Sequence, residues 1–156
     1  MRFMMILCAA LLVATPAFAQ EKTKEIKPPA TGWRSDNAIL EAEKEIAQGA
    51  YEEALDTLEE IIERNLANVE ARALMGYAYF KLNDLKKARR SFDLVTNIDP
   101  RHIGVYVYGV QLHLAEDDIR EAEERLSAIK SLCKGTLCRE YRYARSLINE
   151  AKKEKK

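Results

Sequence analysis

VEARALMGYAYFKLNDLKKARRSFDLVTNIDPRH, residues 69–102, decides the fold of this chain. Apolar side chains recur three or four residues apart on either side of Asn83-Asp84, the spacing of one face of an α-helix. Two helices joined by a tight turn are therefore expected. Working outward, Leu85, Ala88, Phe92 and Val95 recur thirty-four residues earlier as Tyr51, Ala54, Leu58 and Ile61. They recur thirty-four residues later as Ile119, Ala122, Leu126 and Ile129. A fixed period of that length marks stacked copies of one helical unit, none of which can bury its apolar face alone.

Local signals punctuate the array. Gly49 permits a positive φ, Asn65 to Asn68 and Asn83-Asp84 are turn-forming clusters, Pro100 cannot continue a helix, and Asp118 with Glu121 has capping-box spacing. The expected units are repeats at about 35–68, 69–102 and 103–136, followed by a capping helix over 138–153. In the last of these, Tyr141, Ala144, Leu147, Ile148 and Ala151 keep helical spacing and lysines gather at the carboxyl end. Ile103 to Leu114 (IGVYVYGVQLHL) is β-rich by propensity. It is read as a helix because its neighbours on both sides keep the helical phase. In the first unit, Glu41 and Glu45 stand where apolar residues are usual, as suits the outer face of a terminal repeat.

With these residues in view, 69–102 resembles a tetratricopeptide repeat, whose signature is Trp-x-x-Leu-Gly-x-x-Tyr followed by Ala, Phe and Pro at fixed offsets. Gly76, Tyr79, Ala88, Phe92 and Pro100 match; Arg72 replaces the tryptophan and Met75 the leucine. The third unit departs further, with Val110 and His113 in place of the small residue and the tyrosine. The resemblance implies an all-α, right-handed αα superhelix of three helix pairs plus the cap. It further implies a concave binding surface built from the first helix of each pair. Carried across, that groove is lined by Leu74, Tyr77, Phe80, Lys81, Tyr108, Gln111, Leu114 and Ala115. The lysines, asparagine and arginine that clamp a peptide carboxylate in some members are replaced here by Ala73, Leu74, Tyr77, Val107, Tyr108 and Gln111. Carboxylate clamping is not expected. Apolar residues on both faces of the two middle first helices call for a cover: another protein's segment, the cap, or a homodimer.

The amino terminus reads as an export signal over residues 1–19. Arg2 is followed by the apolar stretch Phe3 to Val13 and by Ala17-Phe18-Ala19, giving cleavage after Ala19. A periplasmic destination is expected, with no stable membrane insertion because the apolar stretch is too short to span a bilayer. Residues 20–34 are polar, contain Pro28-Pro29 and have no apolar period, so they read as a disordered leader. Trp33 precedes Ser35 and Asp36, candidate caps onto which it would staple the first helix. Lysine plus arginine balance aspartate plus glutamate at 25 each, which argues against nucleic acid as a partner.

Cys133 and Cys138 enclose four residues, and in an exported chain such a pair reads as a disulfide that fixes the corner before the cap. Nothing resembles a Ser/His/Asp set, a phosphate loop, a His-x-x-x-His pair or a haem-attachment motif. No enzyme, cofactor or metal is expected, and His113 reads as a packing residue. The sequence thus points to a non-enzymatic adaptor or assembly factor that binds a protein or peptide segment. The competing reading is a thiol-linked accessory factor in exported protein or cytochrome maturation that uses Cys133 and Cys138 chemically. A self-assembling structural element is a third.

Overall fold

Seven helices make up residues 37–155, the part of the chain described by the computed structural model. They are α1 (Asn37–Gln48), α2 (Tyr51–Arg64), α3 (Val69–Lys81), α4 (Leu85–Ile98), α5 (Ile103–Ala115), α6 (Ile119–Leu132) and α7 (Arg139–Glu154). The export signal, the 20–34 leader, Trp33 and the Ser35/Asp36 caps lie outside the described residues. No helix among those described is long and apolar enough to cross a membrane.

One turn design joins each pair. Gly49, Asn83 and Asp117, thirty-four residues apart, all have positive φ, at 82°, 62° and 65°. At each, the amide of that residue donates to the carbonyl three back, as Asn83 does to Phe80. The next amide donates to the carbonyl five back, as Asp84 does to Tyr79. These are paired Schellman bonds, which use up carbonyls that a helix end leaves open. Asp84 and Asp118 then cap α4 and α6 by accepting from the amides of Lys87 and Glu121 at 3.0 and 3.1 Å. Asp118 closes only half of a capping box. Its own amide is taken by the His113 carbonyl, and the Glu121 carboxylate pairs with Arg120 instead. Between pairs, the caps of α3 and α5 are Asn68 and His102, again thirty-four residues apart, which accept from Ala71 and Val105.

Packing is continuous from pair to pair. Ile39, Ala42, Leu58 and Ile61 of the first pair close on Ala71 and Leu74 of α3. Tyr77, Ala88, Phe92 and Val95 join α3 and α4 to Val105, Tyr108 and Leu112 of α5. Val107 and Val110 of α5, with Ala122 and Ile129 of α6, meet Tyr141, Ala144 and Ile148 of α7. The β-rich run is therefore helical because α5 has apolar neighbours all round. Residues on its two sides enter two different cores. Much of the apolar surplus on α5 is absorbed by α7 and needs no other molecule.

Glycine sets the approach of α3 to α4. A Cβ at Gly76 would stand 2.4 Å from Phe92 Cε1 and 3.1 Å from Ser91 Cβ, distances that packed atoms do not tolerate. The third pair solves the same contact differently. Val110, fully buried, takes the place of Gly76, and a Cβ added at Gly109, one residue earlier, would meet the stem of Arg125 at 3.6 Å. At the amino-terminal end, Glu41 is exposed and paired with Lys44, but Glu45 departs from the outer-face expectation. One of its carboxylate oxygens is buried without a hydrogen bond, because the residue faces inward on α1.

Cys133 and Cys138 are joined across 6.0 Å between Cα atoms, at the corner where Lys134 and Gly135 take positive φ. Cys138 also caps α7, its Sγ accepting from the Tyr141 amide at 3.4 Å. The lysine-rich end of α7 folds back onto acidic groups, Lys152 onto Glu123 and Lys155 onto Asp117.

Candidate protein-binding groove

The groove expected from the sequence is assembled from α3 and α5, but its residues divide into three layers. Leu74 is a correction: only 4% exposed, it belongs to the seam between the first two pairs and is no groove-lining residue. Leu74 packs with Ile39, Ala42, Leu58 and Ile61 of the first pair, while Tyr77, one turn further along the same side of α3, enters the next core with Tyr108. Tyr77 and Tyr108 form the floor. Their ring centroids are 4.9 Å apart with planes tilted by 32°, and Phe92 stacks behind Tyr108 at 5.9 Å. Each tyrosine is 7% exposed, so these rings hold pairs two and three together as well as paving the groove.

The rim is more open. Phe80 is half-buried, 6.3 Å from the Tyr77 ring, and Lys81 is exposed with its Nζ 5.7 Å from the Tyr51 ring. Leu114 is half-buried at the edge of the core that α7 completes, while Ala115 is exposed. Gln111 is half-buried, and its amide Nε2 is enclosed without a hydrogen bond.

Electrostatically the floor is acidic. Burial pushes the Tyr108 phenol far above its ordinary range, and the charges of Glu70 and Glu43 and the phenols of Tyr77 and Tyr143 push it further. The carboxyl of Glu43 is itself raised, first by partial burial and then by Glu70. Glu70 is held in place by His102, whose Nε2 lies 3.2 Å from its Oε2. Because His102 Nδ1 accepts from the Val105 amide, the proton is on Nε2, and the ring donates it to Glu70.

Glu43, Glu70 and Tyr143 were not among the expected lining residues. The signal was present for the first: Glu43, Tyr77 and Gln111 occupy the same place in the thirty-four-residue register, one per first helix. Glu70 shows only in three dimensions, because its reach to the floor depends on the cap that His102 makes on the next pair. Tyr143 enters through the cap helix.

Elsewhere, a cavity of about 10 Å³ beside His113, Arg89 and Arg125 has room for one water molecule. His113 is 4% exposed, and its Nδ1 stands 3.6 Å from Glu116, which accepts from Arg89. The Cys133 and Cys138 sulfurs and a Glu140 oxygen cluster within 4.8 Å of one another. With the sulfurs bonded to each other, that cluster offers no thiolate to a metal.

Comparison with known proteins places this geometry. Residues 45–106 match the family profile described as tetratricopeptide repeat. No curated protein matches the chain by sequence. Among solved structures, the fold is similar to the TPR2B domain of yeast Sti1, seen in its complex with pHsp70. The TM-score is 0.67 at 19% identity, covering 75% of this chain and 94% of that one. It is similar also to the Yersinia enterocolitica type III secretion translocator chaperone SycD, with a TM-score of 0.64 at 16% identity, covering 76% and 83%. A third likeness is to PcrH in complex with the chaperone binding region of PopD, with a TM-score of 0.64 at 12% identity, covering 76% and 91%. Profile and architecture agree: residues 45–106 match the tetratricopeptide repeat, and the described residues form an all-α superhelical solenoid closed by a seventh helix.

Proposed function

We propose that the protein is a non-enzymatic adaptor or assembly factor of the bacterial periplasm, and that it binds a segment of a partner protein along the face of α3 and α5. The observation that carries this reading is the aromatic floor of Tyr77 and Tyr108, edged by Phe80, Lys81, Gln111 and Leu114. A partner side chain laid there would exchange water for aromatic surface, and the rim polar groups would orient its backbone. Two proteins of like fold carry partners of this kind by their own descriptions: PcrH with the chaperone binding region of PopD, and SycD with a peptide of the translocator YopD. The periplasmic setting rests on the export signal at 1–19.

The cysteine pair belongs to the scaffold in this reading. Both residues are half-buried against the cap core, and Cys138 spends its sulfur lone pair on the first turn of α7.

Rim residues test the function without breaking the floor. Phe80→Gln combined with Leu114→Gln is expected to keep the helical circular dichroism of the parent and to lose the partner captured by the parent from envelope extract. Equal capture by the variant would remove the groove from the protein's function.

A further inference from the structure

One grouping of side chains takes no part in the groove. The Sγ atoms of Cys133 and Cys138 and a carboxylate oxygen of Glu140 lie within 4.8 Å of one another, and all three residues are half-buried. The sequence pairs the two cysteines but offers them no third ligand. The fold supplies it: Cys138 caps α7, so Glu140 falls in the first turn of that helix, and its side chain returns to the corner. No ion pair among the described residues engages the Glu140 carboxylate.

Joined to each other, these sulfurs bind no metal, but a dithiol reductant changes the chemistry. Two electrons break the Cys133–Cys138 bond, each sulfur takes one proton, and the reductant leaves as its own disulfide. The backbone then holds two thiols beside a carboxylate. The Cα atoms of the cysteines are 6.0 Å apart, and the four residues between them are the upper end of the spacing by which paired cysteines grip zinc. Donor atoms around tetrahedral zinc stand about 3.3–3.8 Å apart, so a change of side-chain rotamers suffices for these three to enclose one ion. The loop has room to follow, since a Cβ added at Gly135 would meet nothing within 4 Å.

Charge and ligand type select the ion. Two thiolates and a carboxylate carry three negative charges, of which a divalent cation cancels two. The remainder sits at the amino terminus of a 16-residue helix, where an anion is favoured. Thiolate ligands prefer zinc to calcium or magnesium.

We propose that Cys133, Cys138 and Glu140 form a zinc site that exists only while the cysteine pair is reduced, with water as the fourth ligand. Zinc displaces the two thiol protons to solvent and closes the corner that the lost disulfide leaves open. Disulfide and metal are thus alternative clasps for α7.

The chain from residue 20 onward, which lacks Cys8, is reduced with dithiothreitol, desalted under nitrogen and titrated with cobalt(II) as a spectroscopic stand-in for zinc. One cobalt per chain is expected, with sulfur-to-cobalt charge-transfer absorption in the near ultraviolet that added zinc abolishes. Glu140→Gln should weaken cobalt binding at least about tenfold, and Cys133→Ser with Cys138→Ser should remove the absorption, with circular dichroism confirming that both variants fold. Zinc should also raise the melting temperature of the reduced parent and leave the oxidised parent unmoved.

Absence of the charge-transfer band from the reduced parent overturns the proposal. Equal affinity in Glu140→Gln overturns it too, by reducing the site to two thiolates, as does one cobalt per two chains, which places the metal between molecules. Binding of equal strength by the oxidised parent assigns the metal to other groups and has the same consequence. None of these outcomes bears on capture of a partner by the Phe80 and Leu114 rim.

Discussion

Two glycines one residue apart in their respective repeats have opposite meanings, and only the neighbouring side chain decides which. Gly76 and Gly109 both sit inside helices, where alanine is ordinarily better by about 1 kcal/mol. At Gly76 the new methyl would drive into the Phe92 ring, which is itself wedged against Tyr108, so Gly76→Ala is expected to destabilise by about 1–3 kcal/mol. At Gly109 the methyl meets the flexible stem of Arg125 at ordinary contact distance. Gly109→Ala is therefore expected to stabilise by about 0.5–1 kcal/mol. Urea denaturation of both variants measures the pair, and a shift of the same sign in each would refute the packing argument. From the sequence, Gly76 was legible as the close-approach residue of the repeat signature. The shift of glycine to 109 was not, since it depends on an arginine sixteen residues on crossing over α5.

Elements in this chain are separated by turns that repeat as faithfully as the helices do. The positive-φ residues Gly49, Asn83 and Asp117 and the caps Asn68 and His102 all obey the thirty-four-residue period, so helix boundaries followed from residue chemistry alone. Block three ends without a proline, and the Cys133–Cys138 link with its turn at Lys134 and Gly135 takes over the corner. Closing so small a loop contributes about 2 kcal/mol through the unfolded chain. The double variant Cys133→Ser with Cys138→Ser should lose about that much in guanidinium unfolding. Serine can still cap α7 through its hydroxyl, so the loss reports the cross-link rather than the cap. A reductant that lowers the parent's stability to the variant's level, and leaves the variant unmoved, is the matching result. A parent indifferent to reductant would contradict the structural reading of the pair.

At the scale of the whole molecule, the polar side chain buried among the described residues is His113, and it predicts how stability varies with pH. His113 is nearly sealed, and its pKa is lowered from 6.5, first by burial and then by Arg89 and Arg125, against the smaller opposing effects of Glu116 and Glu121. The unfolded chain therefore takes up this proton before the folded chain does. Stability is unaffected by His113 above about pH 6.5 and falls as pH drops from there towards the folded value. His113→Gln should flatten that part of the curve, so the difference between parent and variant melting temperatures should widen below pH 6.5 in the variant's favour. A difference that stays constant down to pH 5 would show that the ring is solvated rather than sealed.

The period of the apolar residues, and the turn formers placed on it, determined by themselves that this chain is a stack of antiparallel helix pairs. Each pair's face is encoded within its own residues and needs only an identical neighbour. Tertiary structure alone decided which side of each first helix remains available. Leu74 was expected in the groove and is core, because the superhelical stacking turns it towards α1. The apolar surplus of α5 is largely spent on α7, whose docking depends on a corner outside the repeat pattern. Glu43 of the first pair and Glu70 of the second bear electrostatically on Tyr108 of the third, which only the stacking of the pairs brings about. A linear pattern records the spacing of residues along each helix, but not the angle at which the next helix crosses it, and that angle determines which side chains share a site.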